Sequence, residues 1–292
     1  MKNNIFIHKF KNNMKYYIKG VFLIFVYWVH GDYSVIKEFV PFILKYGLRQ
    51  YCYTFMNEKY ITEDDIFLDE KNGLLYCYYD GKRMYLKRSY QDKKDAANYV
   101  DTLAREQIEG SPHCYRDSIF DYNIKNGTVF DIGCAEGNFG LSIIDNIDKL
   151  FLFECDGEWL EALRYTFEPY WDKVEIVNKY ITSHTNDDET TVDDFCKMNN
   201  IDKIEMLKMD IEGAEYEAIC GCKDLIQCRK LDNILVCVYH NYEDENRIRG
   251  YINNLMDNTM ITNGRRMAWK IWNKIWDFDN KLFTHGVMHI KF

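Results

Sequence analysis

Residues 128–144, TVFDIGCAEGNFGLSII, constrain the fold more than any other stretch of the chain. An apolar run ends on Asp131, breaks through Gly133 and Gly137, and passes into helical spacing after Asn138. Glycine tolerates positive φ and lets the backbone approach a ligand closely. A strand that turns through glycine into a helix is the nucleotide-binding arrangement of a doubly wound α/β sheet, whose ligands sit beyond the carboxyl ends of the strands.

The rest of the chain supports that architecture. Short apolar runs at 128–132, 149–154, 174–178, 204–210 and 231–239 alternate with helical stretches near 138–147, 158–167, 213–226 and 243–256. Continuous apolar strands separated by helices predict a mostly parallel sheet covered on both faces. FTHGVMHIKF at the carboxyl terminus reads as a last strand lying antiparallel at the sheet edge. The chain therefore divides on paper into an α+β extension, residues 1–117, and a nucleotide-binding domain, residues 118–292. Within the extension, NGLLYCYYDGKRMYLKRSY (72–90) reads as a hairpin around Asp80-Gly81. Residues 93–109 have helical spacing and stop at Gly110-Ser111-Pro112.

Which nucleotide the turn holds follows by elimination. The dinucleotide fingerprint G-x-G-x-x-G needs glycine at 135, where this chain has Ala, and no Gly-Lys-Ser/Thr follows to make a P-loop. The remaining acid-x-Gly-x-x-x-Gly pattern suits S-adenosylmethionine, whose sulfonium and ammonium favour nearby carboxylates. LFECD (152–156, with its lead-in KLF from 149) ends a strand on Glu154, about 20 residues after the glycine turn, where an acid can accept both ribose hydroxyls. Asp156 is a weaker candidate. A third strand end, IEMLKMDIEGAEYEAICG (204–221), clusters Asp210, Glu212 and Glu215. Three carboxylates are costly to gather unless something uses them, although Glu212 and Glu215 would also complement a helix N-terminus. Asp210 would face the sulfonium and the acceptor. His240, ending the fifth strand in VYHNYED, has an ordinary pKa suited to general-base work. Catalytic candidates are therefore His240 and Asp210. The spacing of Asp210 and Glu212 does not define a metal site, and no metal ligand set is assigned.

Charge and cysteine usage exclude other classes. With a net charge of −9 and no Lys/Arg block, the 292-residue chain does not look like a nucleic-acid binder. The ten cysteines contain no C-x-x-C pair, and several lie in apolar runs, which points to reduced thiols in a cytoplasmic protein. GVFLIFVYWVHG (20–31) follows a basic stretch, but its apolar run is about half of the roughly 20 residues a membrane span needs. A buried or partner-covered helix is the preferred reading, with peripheral membrane contact and a cleaved signal as the others; no small-x-small cleavage site follows it.

VFDIGCAEGNFGL, LFECD, VEIVNKYI, TVDDF and LKMDIEGAEYEAICG, in this order and at these intervals, resemble the FkbM-type methyltransferases, S-adenosylmethionine-dependent O-methyltransferases of sugar, glycan and polyketide hydroxyls. The likeness covers roughly 118–245, and Lys208-x-Asp-x-Glu-Gly-Ala-Glu215 is its most specific part. It implies a Rossmann-like class I fold with a seven-stranded sheet. It also implies a cofactor loop of Asp131, Gly133, Cys134, Glu136, Gly137, Asn138 and Phe139, with Glu154 and Cys155 at the ribose, Asn178 near the adenine and Asp210 at the methyl. The implied acceptor is a glycan or related small molecule. Cys134-Ala135-Glu136, where many members have Ala-Asn-x, and Tyr239-His240, where many have Glu-x-His, depart from the family pattern. REQIEGSPHCY (105–115) is similar to a subgroup and reads as a lid or acceptor wall offering Glu106, Gln107, Ser111 and His113, with Glu212 and Glu215 opposite. Two other functions fit less well: a nicotinamide oxidoreductase, which lacks any Tyr-x-x-x-Lys signature, and a cofactor-binding scaffold without catalysis. The oligomeric state is not encoded in any motif.

Overall fold

The computed structural model describes residues 2–31, 33–49, 51–241, 243–268 and 283–292. Its contacts form two compact units, residues 1–58 with 265–286, and residues 59–264 with 287–292. This division differs from a boundary at 117/118. Residues 59–117 supply Ile66, Leu75, Met84, Ala97 and Val100 to the same buried cluster as Val129, Leu141 and Leu150 of the sheet domain.

In the first unit, α1 (Lys2–His30) packs against α2 (Tyr33–Tyr46), and a ribbon of β12 (Arg266–Ala268) and β13 (Phe283–His285) completes it. Gly20 lets the helices touch, since a Cβ there would come 2.3 Å from Ile43 Cγ2. Tyr27, Phe39, Phe42 and Ile43 form the core, with the Phe283 ring stacked on Phe39 at 4.4 Å. Segment 20–31 thus lies mostly within α1. That helix is apolar on its outer face too, where Ile18, Val21, Phe25, Trp28 and Val29 are exposed. No described helix is long and apolar enough to cross a membrane.

The second unit opens with β1 (Phe67–Leu68), β2 (Leu75–Tyr79) and β3 (Lys82–Tyr85), an antiparallel sheet turning at Asp80 and Gly81 with φ of 47° and 76°. This is the hairpin its Asp-Gly pair encodes. Helix α3 (Lys93–Glu106) follows, capped by Asp92. The main sheet then builds from β4 (Thr128–Ile132), α4 (Asn138–Ile143), β5 (Lys149–Phe153), α5 (Gly157–Phe167) and β6 (Val174–Val177). A small ribbon of β7 (Tyr180–Ile181) and β8 (Glu189–Thr190) leads to α6 (Val192–Asn199) and β9 (Met206–Met209). The predicted helix over 213–226 is two, α7 (Glu215–Cys220) and α8 (Lys223–Gln227), broken at Gly221, where a Cβ would come 2.3 Å from the Thr182 carbonyl oxygen. β10 (Asn233–Cys237), α9 (Asp244–Leu255), β11 (Met260–Asn263) and β14 (Val287–Lys291) finish the unit.

The sheet order is β11-β14-β10-β9-β4-β5-β6, parallel from β10 to β6 and antiparallel on both sides of β14. The terminal strand is therefore antiparallel but not at the edge, because β11 covers it. MITN of β11 is partly exposed and mostly lacks the apolar run that marks an interior strand. Side chains alternate strictly: Leu150 and Leu152 enter the core beneath the hairpin, α3 and α5, whereas Phe151 and Phe153 enter the core beneath α6 to α9.

Candidate active site

The carboxyl ends of β4, β9, β5 and β10 meet at one edge of this sheet, and the predicted site residues divide there into a supporting layer and a polar cluster. The support begins with Asp131. It is fully buried, lies opposite Lys208 in the register of β4 and β9, and meets Lys208 Nζ at 2.9 Å. Its other oxygen accepts from Gly140 N–H at 3.2 Å, and Lys208 also donates to the Gly133 carbonyl at 2.8 Å. Burial opposes the charge on Lys208, but Asp131 and Asp210 outweigh it and hold the ammonium above its ordinary range. Asp131 thus fastens the loop from below. Cys134 and Phe139 also turn into the core, and Asn138 accepts from the Phe139 N–H.

The loop itself is shaped by close approach. A Cβ on Gly133 (φ +69°) would come 1.9 Å from the Asp210 carbonyl oxygen, and one on Gly137 (φ +79°) would strike the Phe167 ring. Ala135 sits at φ +45°, the left-handed conformation that glycine would take more cheaply. Its N–H is held by Glu154 Oε2 at 2.8 Å, while Glu154 Oε1 accepts from Asp156 N–H at 2.8 Å. Each Glu154 oxygen therefore keeps a lone pair after tying down one backbone donor. Asn178 is exposed and donates to the Glu154 carbonyl at 2.6 Å; Cys155 is exposed beside it. Glu136 is buried and accepts from Tyr99 Oη, and burial pushes its carboxyl up to about 7.

Asp210 lies at the centre of the polar cluster. His113 Nε2 faces its Oδ2 at 3.1 Å, and His240 Nε2 faces its Oδ1 at 3.4 Å. Each histidine is backed by a second carboxylate: Glu106 Oε2 at 3.3 Å from His113 Nδ1, and Glu215 Oε1 at 2.7 Å from His240 Nδ1. The result is a chain of carboxylate, imidazole, carboxylate, imidazole and carboxylate. Tyr115 donates to Asp210 Oδ2 at 2.7 Å, and Tyr115 Oη, Tyr239 Oη and Cys237 Sγ lie 3.1, 3.2 and 3.4 Å from His113 Nε2. Burial alone would raise the Asp210 carboxyl, but the His113 hydrogen bond and charge, Lys208 and His240 hold it far below the usual carboxylate range. Burial likewise opposes charge on both imidazoles. Tyr239, Cys237 and Asp210 raise His113 well above its ordinary value, and Glu215, Asp210 and Glu212 raise His240. Glu212, exposed and at φ +55°, reaches His240 Nε2 at 3.6 Å.

Gln107 and Ser111 serve the turn that carries His113. Gln107 donates to the His113 carbonyl at 2.9 Å and accepts from Tyr115 N–H, and Ser111 Oγ accepts from His113 N–H at 3.4 Å. The fold thus brings Glu106, His113, Asp210, Glu212, Glu215 and His240 together and sets Gln107 and Ser111 behind them. Tyr99, Tyr115 and Cys237 were not singled out from the sequence. The one available signal for Tyr115 was its place two residues after His113.

A parallel sheet reversed at one side by an antiparallel strand, with a glycine loop after β4 and acids ending β5 and β9, is the class I methyltransferase fold. Residues 152–259 match the family model described as the methyltransferase FkbM domain, and they carry Glu154, Asn178, Asp210, Glu212, Glu215 and His240. Among solved structures, the methyltransferase FkbM of Methylobacillus flagellatus KT is 18% identical with a TM-score of 0.50, covering 69% of this chain and 54% of that one. This chain therefore spans about half the length of that relative. Trm5b of Pyrococcus abyssi is 12% identical at a TM-score of 0.43, covering 75% of this chain and 55% of that one. Precorrin 8W decarboxylase of Methanobacterium thermoautotrophicum is 18% identical at 0.37, covering 57% of this chain and 81% of that one. No curated protein matches the sequence.

Proposed function

We propose that this chain is an S-adenosylmethionine-dependent methyltransferase acting on a hydroxyl group, with a sugar or glycan as the acceptor class. The observation that carries the reading is the joint placement of Glu154, tied to the glycine loop with a lone pair free on each oxygen, and the buried Asp210 cluster at the neighbouring strand end. S-adenosylmethionine supplies an electrophilic methyl group on a positive sulfonium. The residues present fit it: Gly133 and Gly137 leave room where a Cβ would clash, Glu154 can accept two ribose hydroxyls, and Asp210 offers an ionised carboxylate to a cation.

In this reading the acceptor oxygen attacks the methyl carbon, the carbon–sulfur bond breaks with its electron pair going to sulfur, and the hydroxyl proton leaves to the chain. The proton is taken by the ionised Asp210 carboxylate or by His240 in its neutral form. Alignment of the acceptor supplies the larger share of the rate, up to about 7–11 kcal/mol, and the base a further factor of about 10²–10⁴. Segment 105–115 forms a wall of the acceptor site, and the glycan assignment rests on the family resemblance. The test is calorimetry with S-adenosylhomocysteine, followed by incubation with labelled S-adenosylmethionine and a cell-envelope extract. Binding followed by label in a glycan fraction is the expected outcome. A wild-type chain that binds no S-adenosylhomocysteine ends the enzyme reading. His240→Ala is expected to lower turnover while leaving that affinity intact, and equal loss of both would make His240 structural.

A further inference from the structure

Glu215 is unevenly satisfied. Its side chain is fully buried, and Oε1 accepts twice, from Ile211 N–H at 2.9 Å and from His240 Nδ1 at 2.7 Å. Oε2 is buried and has no hydrogen-bond partner among the described residues. A carboxylate oxygen removed from water without a donor is expensive, so a buried acid arranged in this way calls for a cation on its second oxygen. Among the described residues no lysine or arginine pairs with Glu215, and Lys208 is committed to Asp131. Asp244, also fully buried, adds negative charge nearby, and Glu215 is among the groups that raise its carboxyl.

Ligand atoms of Asp210, Glu215 and His240 all lie within 4.8 Å of one another. His240 Nε2 lies 3.4 Å from Asp210 Oδ1, close to the roughly 3 Å between adjacent ligands of a divalent ion with bonds of about 2.1 Å. The opposite ring nitrogen, Nδ1, stays hydrogen-bonded to Glu215 Oε1 at 2.7 Å, which leaves Oε2 as the ligand atom of Glu215. On the open side, Glu212 Oε2 stands 3.6 Å from His240 Nε2. Two carboxylates and an imidazole, with an exposed acid and solvent completing the shell, form a donor set for a divalent cation of the magnesium or manganese kind.

We infer that Asp210, Glu215 and His240 bind a divalent metal ion, with Glu212 covering its exposed face. The site stands on its own geometry. Its catalytic use rests on the methyltransferase reading: the ion would polarise the acceptor hydroxyl. His240 then acts as a ligand through Nε2, and the hydroxyl proton passes to solvent on the open side of the site.

Manganese is the probe, titrated into the full-length chain freed of metal by a chelator and followed by electron paramagnetic resonance. Saturable binding of a single Mn²⁺ is expected, weakened at least about tenfold in Glu215→Gln and in Asp210→Asn and unchanged in Glu154→Gln. Circular dichroism identifies the folded variants, and either one of the two suffices for the comparison. Wild-type protein without saturable binding up to about 10 mM would overturn the site, as would equal affinity in a folded variant. Calorimetry with S-adenosylhomocysteine in the presence of chelator runs in parallel. Mn²⁺ binding without S-adenosylhomocysteine binding keeps the metal site and removes the methyltransferase reading; the reverse result removes the metal site alone.

Discussion

Asp131 and Lys208 stand opposite each other on adjacent parallel strands and form a fully buried ion pair whose second partners are the amide of Gly140 and the carbonyl of Gly133. The pair ties the glycine loop and the start of α4 to the centre of the sheet. Removing one member leaves an uncompensated buried charge, which costs about 3–5 kcal/mol, whereas replacing both by apolar groups of similar size is often nearly neutral. Lys208→Met and Asp131→Asn should each lower the urea midpoint of unfolding, and the double substitution Asp131→Leu with Lys208→Met should recover part of the loss. Additive losses in the double variant would mean that the two side chains do not act as a pair.

Glu154 has the opposite character: its backbone contacts leave capacity on both oxygens. Hydrogen bonds to a charged carboxylate contribute about 1.5–3 kcal/mol each. Glu154→Gln should therefore weaken S-adenosylhomocysteine binding by about ten- to a hundredfold in calorimetry, with a thermal midpoint within a few degrees of wild type. Unchanged affinity would remove Glu154 from the ribose.

Much of this site was legible in the sequence because a parallel sheet puts its chemistry at strand ends, and strand ends are visible as the last polar residue of an apolar run. Asp131, Glu154, Asp210 and His240 were found in this way. Lateral neighbours were not, since they depend on strand order. β4 lies beside β9, so Asp131 meets Lys208 across a long intervening segment. The tie that Asp131 makes beneath the loop, to Lys208 and the Gly140 amide, follows from this order. The pairing of His113 with Asp210, 97 residues apart, was hidden for the same reason. The insertion of β14 between β10 and β11 was missed because β11 is short and half exposed. Arg266–Ala268 and Phe283–His285 were likewise read with the sheet domain, although Ala268 and Phe283 pack with Tyr27 and Phe39 of α1 and α2.

Glu136 makes the loop pH-sensitive. Burial lifts its carboxyl from an ordinary 4.5 to about 7 in the folded chain. The folded state then binds more protons than the unfolded state between these values, so the protein loses stability as pH rises from about 4.5 through 7. Glu136→Gln removes the cost of the buried charge while keeping an acceptor for Tyr99. Its stability should exceed that of wild type at pH 8, by about 3 kcal/mol at most, seen as a higher thermal midpoint, and the difference should shrink at pH 5. An equal difference at both pH values would show that the carboxylate is not titrating in this range.

His289 gives the opposite slope. On β14 its Nε2 lies 3.0 Å from Asn233 Oδ1, its Nδ1 is buried without a partner, and Phe120 and Tyr122 contact the ring edge-on. Burial lowers its pKa from 6.5 to about 4, helped by the Lys291 charge. The imidazole is thus neutral in the folded chain, donating from Nε2, and must gain a proton when the chain unfolds under mild acid. Between about pH 6.5 and 4 the unfolded state binds more protons, so stability falls as the pH drops through this window. Urea unfolding at pH 7 and pH 5 should show wild type weakening on acidification, and His289→Gln, which has no proton to gain, should weaken less. A shift of 1 kcal/mol corresponds to about 2–4 °C in a domain of this size, so thermal scans at the same two pH values should agree. If the variant and wild type lose equal stability between pH 7 and pH 5, His289 titrates alike in the folded and unfolded chain and does not set this slope.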